Sequence, residues 1–181
     1  AELIKSYIGD YQLYGQFDFP LYWPILGAFA TEDSGLDWLG QVLASTVDYY
    51  GDAARMASFL GNHDVARFVT IAAGEVPQQC PNGSTATGYD CPPGQPDASE
   101  PYERLIRAFT FLAACPLIPL IYYGDEIGLA GAGDPDNRRM MEWGPVAADR
   151  EAVRDAVSKL MLARRDNSAL RRGDVQIADS S

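Results

Sequence analysis

An α/β fold built on a parallel sheet is predicted by three features of this 181-residue chain. Strand-like apolar runs alternate with helix-period segments three times over, and a polar loop follows each run. The last run, residues 117–122, is continuously apolar, as a parallel strand covered on both faces requires. The runs contain Phe17, Phe59 and Ile118, about 42 and 59 residues apart, more than the roughly 30 residues of a minimal strand–helix–strand unit. The surplus falls in the loops after the strands. Three strands cannot close an eight-stranded barrel, so the residues alone leave two architectures open: a small open sheet, or a part of a larger barrel.

The elements follow in order. Helical spacing begins at Leu3, with no capping residue or turn before it. Residues 15–19 read as a short aromatic strand ended by Pro20, and residues 21–29 as a helix. The turn Thr31-Glu-Asp-Ser-Gly35 supplies capping residues, after which Leu36, Leu39, Val42, Leu43 and Val47 recur at helical spacing until Gly51. Residues 56–60 form the second strand. The stretch 74–99, rich in Pro, Gly, Asn and Ser, is a loop of the length that carries function or is covered by a partner. Pro101 opens a helix with Leu105, Ile106, Phe109, Leu112 and Ala113 on its apolar face. The third strand, 117–122, leads into a second Gly/Asp loop at 124–137 and then a helix over about 151–165. Arg164, Arg165, Arg171 and Arg172 read as a solvated basic helix end, and residues 173–181 as the opening of a further element.

Composition narrows the partners. An apolar content of 47% suffices for a core, while a formal charge of −11 offers no basic stripe for phosphates. No nucleic-acid partner is expected, and no attraction to an anionic membrane. The longest apolar run, 109–123, is broken by Pro116 and Pro119 and falls short of the ~20 residues that span a bilayer. Cys80 and Cys91 flank a polar loop that a disulfide can staple, although spacing alone does not fix the pairing. If formed, the bridge points to an extracellular or periplasmic setting. Cys115 lies in apolar sequence and reads as a buried thiol.

The strongest site signal is Asn62-His63-Asp64, directly after the strand 56–60, where polar residues of α/β folds commonly carry chemistry. His63 is the only histidine of the chain. The bland reading is a hydrogen-bonded pair at a strand end. Asp125 and Glu126 also follow a strand, but adjacent side chains in extended chain point apart, which favours structural roles. Asp134, Asp136 and Asn137 resemble a piece of a calcium loop without its twelve-residue ligand pattern, so no cofactor is expected in this chain. Tyr122, Tyr123 and Trp143 suit core or loop packing as readily as stacking on a ligand.

Four segments together resemble the α-amylase family of glycoside hydrolases (family 13). Gln16-Phe-Asp-Phe-Pro20 is similar to its barrel strand six, Phe59-Leu-Gly-Asn-His-Asp64 to the end of strand seven, and Leu120-Ile-Tyr-Tyr-Gly-Asp-Glu-Ile-Gly128 to strand eight. Asp134-Pro-Asp-Asn-Arg-Arg-Met-Met-Glu-Trp143 resembles the loop after strand eight, at the donor end of the sugar cleft. An isolated Asn-His-Asp is weak; the ordered set, spread over nearly the whole chain, is specific.

The resemblance implies a (β/α)8 TIM barrel that cleaves or transfers α-glucosidic bonds in α-1,4-glucans or malto-oligosaccharides with retention, using a carboxylate nucleophile and a carboxylic acid. It matches Asp64 to the third carboxylate, which stabilises the transition state, and His63 to a sugar contact. Asp134 and Arg138 match donor-side sugar contacts; Asn62 reads as a support of the loop geometry in preference to a sugar contact. The nucleophile and acid motifs of strands four and five do not occur here. Residues 1–172 are therefore expected to be the C-terminal part of the barrel, about strands six to eight, and 173–181 the start of a following domain. The missing N-terminal part of the barrel becomes a required partner, the chain alone is expected to be inactive, and its open strand edges are expected to invite association. The family leaves room for calcium elsewhere in the complete protein. A non-catalytic barrel relative, serving as a binding or assembly subunit, is the alternative; a split enzyme is a third reading.

Overall fold

The computed structural model describes residues 1–51, 54–75 and 91–173. Its elements run α1 (Glu2–Lys5), α2 (Phe19–Phe29), α3 (Leu36–Tyr50), β1 (Ala57–Phe59), α4 (Phe68–Ala72), α5 (Glu100–Ala114), β2 (Ile118–Leu120), α6 (Ala148–Asp166) and α7 (Ala169–Arg172). Turns of 3₁₀ type lie at Asp125–Ile127 and Asp136–Arg138. β1 and β2 pair in parallel, with Ala57 opposite Ile118 and Phe59 opposite Leu120. Parallel neighbours need a long crossover, and the segment holding α4 and α5 provides it.

The strand expected over residues 15–19 contracts to a single parallel bridge, Phe17 to Ala57. The backbone N–H of Asp18 still donates to Ala57 O and that of Ala57 to Gln16 O, both at 2.9 Å. Asp18 is the cause. Its Oδ1 accepts from Leu21 N at 3.2 Å and starts α2 at Phe19, two residues before the sequence pattern does. Pro20 sits in the first helical turn, where its missing N–H costs nothing, so it opens a helix as well as closing a strand. The capping carboxylate is fully buried, and its second oxygen has no hydrogen-bond donor. Burial pushes the Asp18 carboxyl up to about 6, against the opposing pull of the Leu21 N–H.

The core gathers around Phe59, which has no exposed surface. Tyr22 stacks on its ring at 4.8 Å, and Phe17 and Phe19 meet it edge-on at 5.6 and 5.1 Å. Such offset and edge-to-face pairs each contribute about 0.5–1.5 kcal/mol beyond area burial. On α5 the predicted face is buried at Leu105, Phe109, Leu112 and Ala113, with Ile106 half-buried, and α6 covers it with Val153 and Val157. Leu39 and Leu43 of α3 are buried, whereas Leu36 is exposed and the side chain of Val47 lies outside the described set.

Two further expectations change, and one element has no counterpart in the sequence pattern. β2 is not buried on both faces: Ile118 is 47% exposed, Pro119 and Leu120 are half-buried, and Ile121 just beyond it is 36% exposed. The α4 turn over Phe68–Ala72 is too short to reveal a helical period in sequence. Arg164 is buried instead of solvated. It donates to the carbonyls of Ala113 and Cys115, at 2.9 and 2.5 Å, and to those of Leu117 and Leu170. The bend between α5 and β2 leaves the carbonyls of Ala113, Cys115 and Leu117 without helical partners, and the guanidinium fork collects them together with that of Leu170 in α7.

Cys115 is a buried free thiol, pushed up to about 12 by burial. Cys91 is disulfide-bonded; Cys80, the cysteine expected to pair with it, lies outside the described residues, as do 76–90 of the long loop and 174–181 of the tail. Among the described residues no helix is long and apolar enough to cross a membrane.

Candidate functional site

The site is built where β1 and β2 release the chain at the same end. Leaving β1, the backbone of Asp64 donates to Asn62 Oδ1 at 2.7 Å, a local turn that only a short side chain with an acceptor closes. Asn62 is itself buried; its Oδ1 closes the turn, while its Nδ2 has no hydrogen-bond partner. The turn lifts His63 and Asp64 outward, to 53% and 57% exposure of their side chains. His63 Nε2 stands 3.4 Å from Asp64 Oδ1.

The loop after β2 comes alongside. Arg138 Nε donates to the carbonyl of His63 at 3.1 Å, and its Nη2 pairs with Asp134 Oδ1 at 3.1 Å. Residues 75 positions apart in sequence are thereby joined: all four side chains singled out for sugar contact or catalysis, His63, Asp64, Asp134 and Arg138, meet on one half-exposed surface. The Asp134–Pro135 peptide within this loop is cis. Together the four offer an acceptor carboxylate, an imidazole and a guanidinium already bound to a carboxylate. That is a set suited to several hydroxyls at once, with no large apolar surface required.

Beneath this surface lies a second layer that sequence reasoning missed. Arg67 is fully buried. Its Nε donates to Asn137 O at 2.8 Å, and its Nη1 to Tyr123 O at 2.6 Å and Asp125 Oδ1 at 2.8 Å. The rings of Tyr122 and Tyr123 lie 4.3 and 4.9 Å from the guanidinium carbon, so these tyrosines pack on a cation within the protein. Asn137 Nδ2 in turn donates to Val65 O at 2.8 Å and to Asn62 O at 3.4 Å. Asp125 therefore has the structural role its position implied. Burial raises its carboxyl to about 6; the Arg67 charge and hydrogen bond pull the other way, and Glu126 adds to the rise. One signal was available: Arg67 stands between Val65-Ala66 and Phe68-Val69, and a charge inside an apolar run is buried only with partners.

Gly61, the residue before the turn, completes the layer. A Cβ there would stand 2.6 Å from Asp125 Oδ2, so only glycine lets the carboxylate close against this backbone. Trp143 is 88% exposed. Among the described residues no group of three or more His, Cys, Asp or Glu side chains is placed to hold a metal ion.

No family model matches the chain. Curated relatives do. It is 32% identical over 161 residues to a maltogenic α-amylase of Bacillus acidopullulyticus, which covers 86% of this chain and 23% of that protein. It is 30% identical over 166 residues to a cyclomaltodextrinase of Geobacillus thermopakistaniensis, covering 88% of this chain and 24% of that protein. In three dimensions it matches the crystal structure of an α-amylase from Geobacillus thermoleovorans complexed with acarbose, with a TM-score of 0.69 and 30% identity, over 91% of this chain and 31% of the other. The chain thus spans about a quarter of the length of those curated relatives, and about a third of an α-amylase-type TIM-barrel enzyme of known structure.

Proposed function

Because this chain belongs to the α-amylase family of glycoside hydrolases, we propose that it supplies about strands six to eight of a (β/α)8 catalytic barrel acting on α-1,4-glucans or malto-oligosaccharides. Residues 1–172 form the barrel portion in this reading, and 173–181 open the next domain. The observation that carries it is the joining of the two strand-end loops through Arg138 and the carbonyl of His63, which gathers Asp64, His63, Asp134 and Arg138. Substrate-binding groups at the C-terminal ends of parallel strands are the arrangement of every barrel enzyme of this kind.

In that role Asp64 accepts hydrogen bonds from hydroxyls of the sugar at the reacting subsite. Bonds that strengthen as the ring flattens towards an oxocarbenium ion stabilise the transition state more than the ground state, which raises kcat. His63 donates to the same sugar, and Asp134 with Arg138 holds the donor-side residue of the chain. The nucleophile and the general acid come from the N-terminal part of the barrel, so cleavage requires both parts.

The test is reconstitution. The chain is mixed with the N-terminal barrel part of a related maltogenic amylase, and maltotriose cleavage is followed by released reducing ends. Activity is expected from the mixture and from neither part alone. Asp64→Asn is expected to lower kcat by on the order of 10³-fold with a small change in KM. No gain on mixing counts against the enzyme reading. Acarbose binding without any gain would favour a non-catalytic binding subunit.

A further inference from the structure

We infer that Arg67 is a positioning residue for Asp64 and His63: through its buried contacts it sets the height and direction of the exposed turn above it. The inference rests on the sugar-site reading for its meaning, though not for its geometry. Three independent contacts carry it. First, Arg67 Nε holds Asn137 O at 2.8 Å, and Asn137 Nδ2 reaches back to Val65 O and Asn62 O, bracketing the turn from both sides. Second, Nη1 fixes Asp125 Oδ1, whose other carboxylate oxygen lies against Gly61, the residue that launches the turn. Third, the backbone N–H of Arg67 donates to Gly131 O at 3.0 Å, so the main chain at both ends of Asn62–Val65 is anchored to the loop after β2.

This goes beyond filling a core. A guanidinium with one rigid fork satisfies Asn137 O, Tyr123 O and Asp125 together, while the two tyrosine rings hold it in plane. An ammonium keeps the charge but cannot span these acceptors from one plane. Among the described residues the exposed pair His63–Asp64, its side chains more than half exposed, is held by the buried Asn62 at the Asp64 N–H and by Arg138 at the His63 carbonyl. The turn therefore inherits its placement from below.

His63 is the only histidine, so its ring gives one resolved set of NMR signals that reports this turn and nothing else. In the 181-residue chain, Arg67→Lys is expected to move the His63 ring signals. The methyl signals of Val153 and Val157, on the far helix α6, are expected to stay in place. Gly61→Ala keeps the arginine but presses on Asp125 Oδ2, and is expected to move the same signals in a second way. Unmoved His63 signals in both variants overturn the inference. So does a joint collapse of His63 and valine signals, which makes Arg67 a requirement for folding alone. Titration of the unsubstituted chain with acarbose is the separate arm: a failure to move His63 there counts against the sugar site and leaves the positioning result standing.

Discussion

Two arginine–aspartate pairs sit one above the other in this molecule. Arg67–Asp125 is 2.8 Å long with side chains 1% and 3% exposed; Arg138–Asp134 is 3.1 Å long with side chains 46% and 55% exposed. The chemistry is the same and the consequences are opposite. In the lower pair both ions have left water, so neither can lose its partner cheaply. In the upper pair water competes at every moment, and a ligand hydroxyl can replace either partner at little cost. Burial, and not the identity of the residues, separates the fixed layer from the layer that is free to bind.

The lower pair gives the largest expected effect. Arg67→Met leaves a buried carboxylate without its cation, which costs about 3–5 kcal/mol of stability at pH 8 by urea unfolding. Arg67 pulls the Asp125 carboxyl down to about 6 in the parent, so without it the carboxyl takes up its proton at a higher pH, and the penalty shrinks as pH falls towards about 6, below which both proteins carry a neutral Asp125. A penalty that does not change with pH would show that Asp125 is not the group left stranded.

Asp18 tests the same logic without any guanidinium. Its folded pKa is raised above the ordinary 3.8 to about 6, so its favourable contribution is complete below pH 3.8 and is lost as pH rises through 6. Asp18→Asn removes that loss while its side-chain oxygen can still cap Leu21. The variant is expected to match the parent near pH 3 and to exceed it by up to about 3 kcal/mol at pH 8, read from thermal melts. Equal melts at both extremes would break the argument that burial governs these carboxylates.

The upper pair gives the smallest effect on stability. Arg138→Ala is expected to change it by under about 1 kcal/mol. Acarbose affinity, by contrast, should weaken clearly by calorimetry, and a loss of stability as large as that of Arg67→Met would erase the contrast between the two layers.

Much of this was legible before any coordinates. The parallel order of the runs at Phe59 and Ile118, and the helices over Leu36–Tyr50, Glu100–Ala114 and Ala148–Asp166, follow from apolar period and length. So do the four residues of the upper layer, through motif resemblance. The strand at Phe17 was overcalled because the aromatic run conceals Asp18, whose capping bond decides between strand and helix. Arg67 and Arg164 were missed for one reason: a buried arginine is defined by carbonyls brought from distant parts of the chain, and no local pattern encodes them.

Arg164 has a consequence that reaches the site without touching it. β2 is three residues long, with a single strand neighbour among the described residues, which is too little pairing to resist slipping by one residue. Arg164 grips the carbonyls of Cys115 and Leu117 just before that strand, from a helix outside the sheet. It acts as a ratchet pawl, since a shifted β2 would carry Tyr123 and Asp125 out of reach of Arg67. The phase of the strand, and with it the level of the turn that carries His63 and Asp64, is set from the opposite end of the strand.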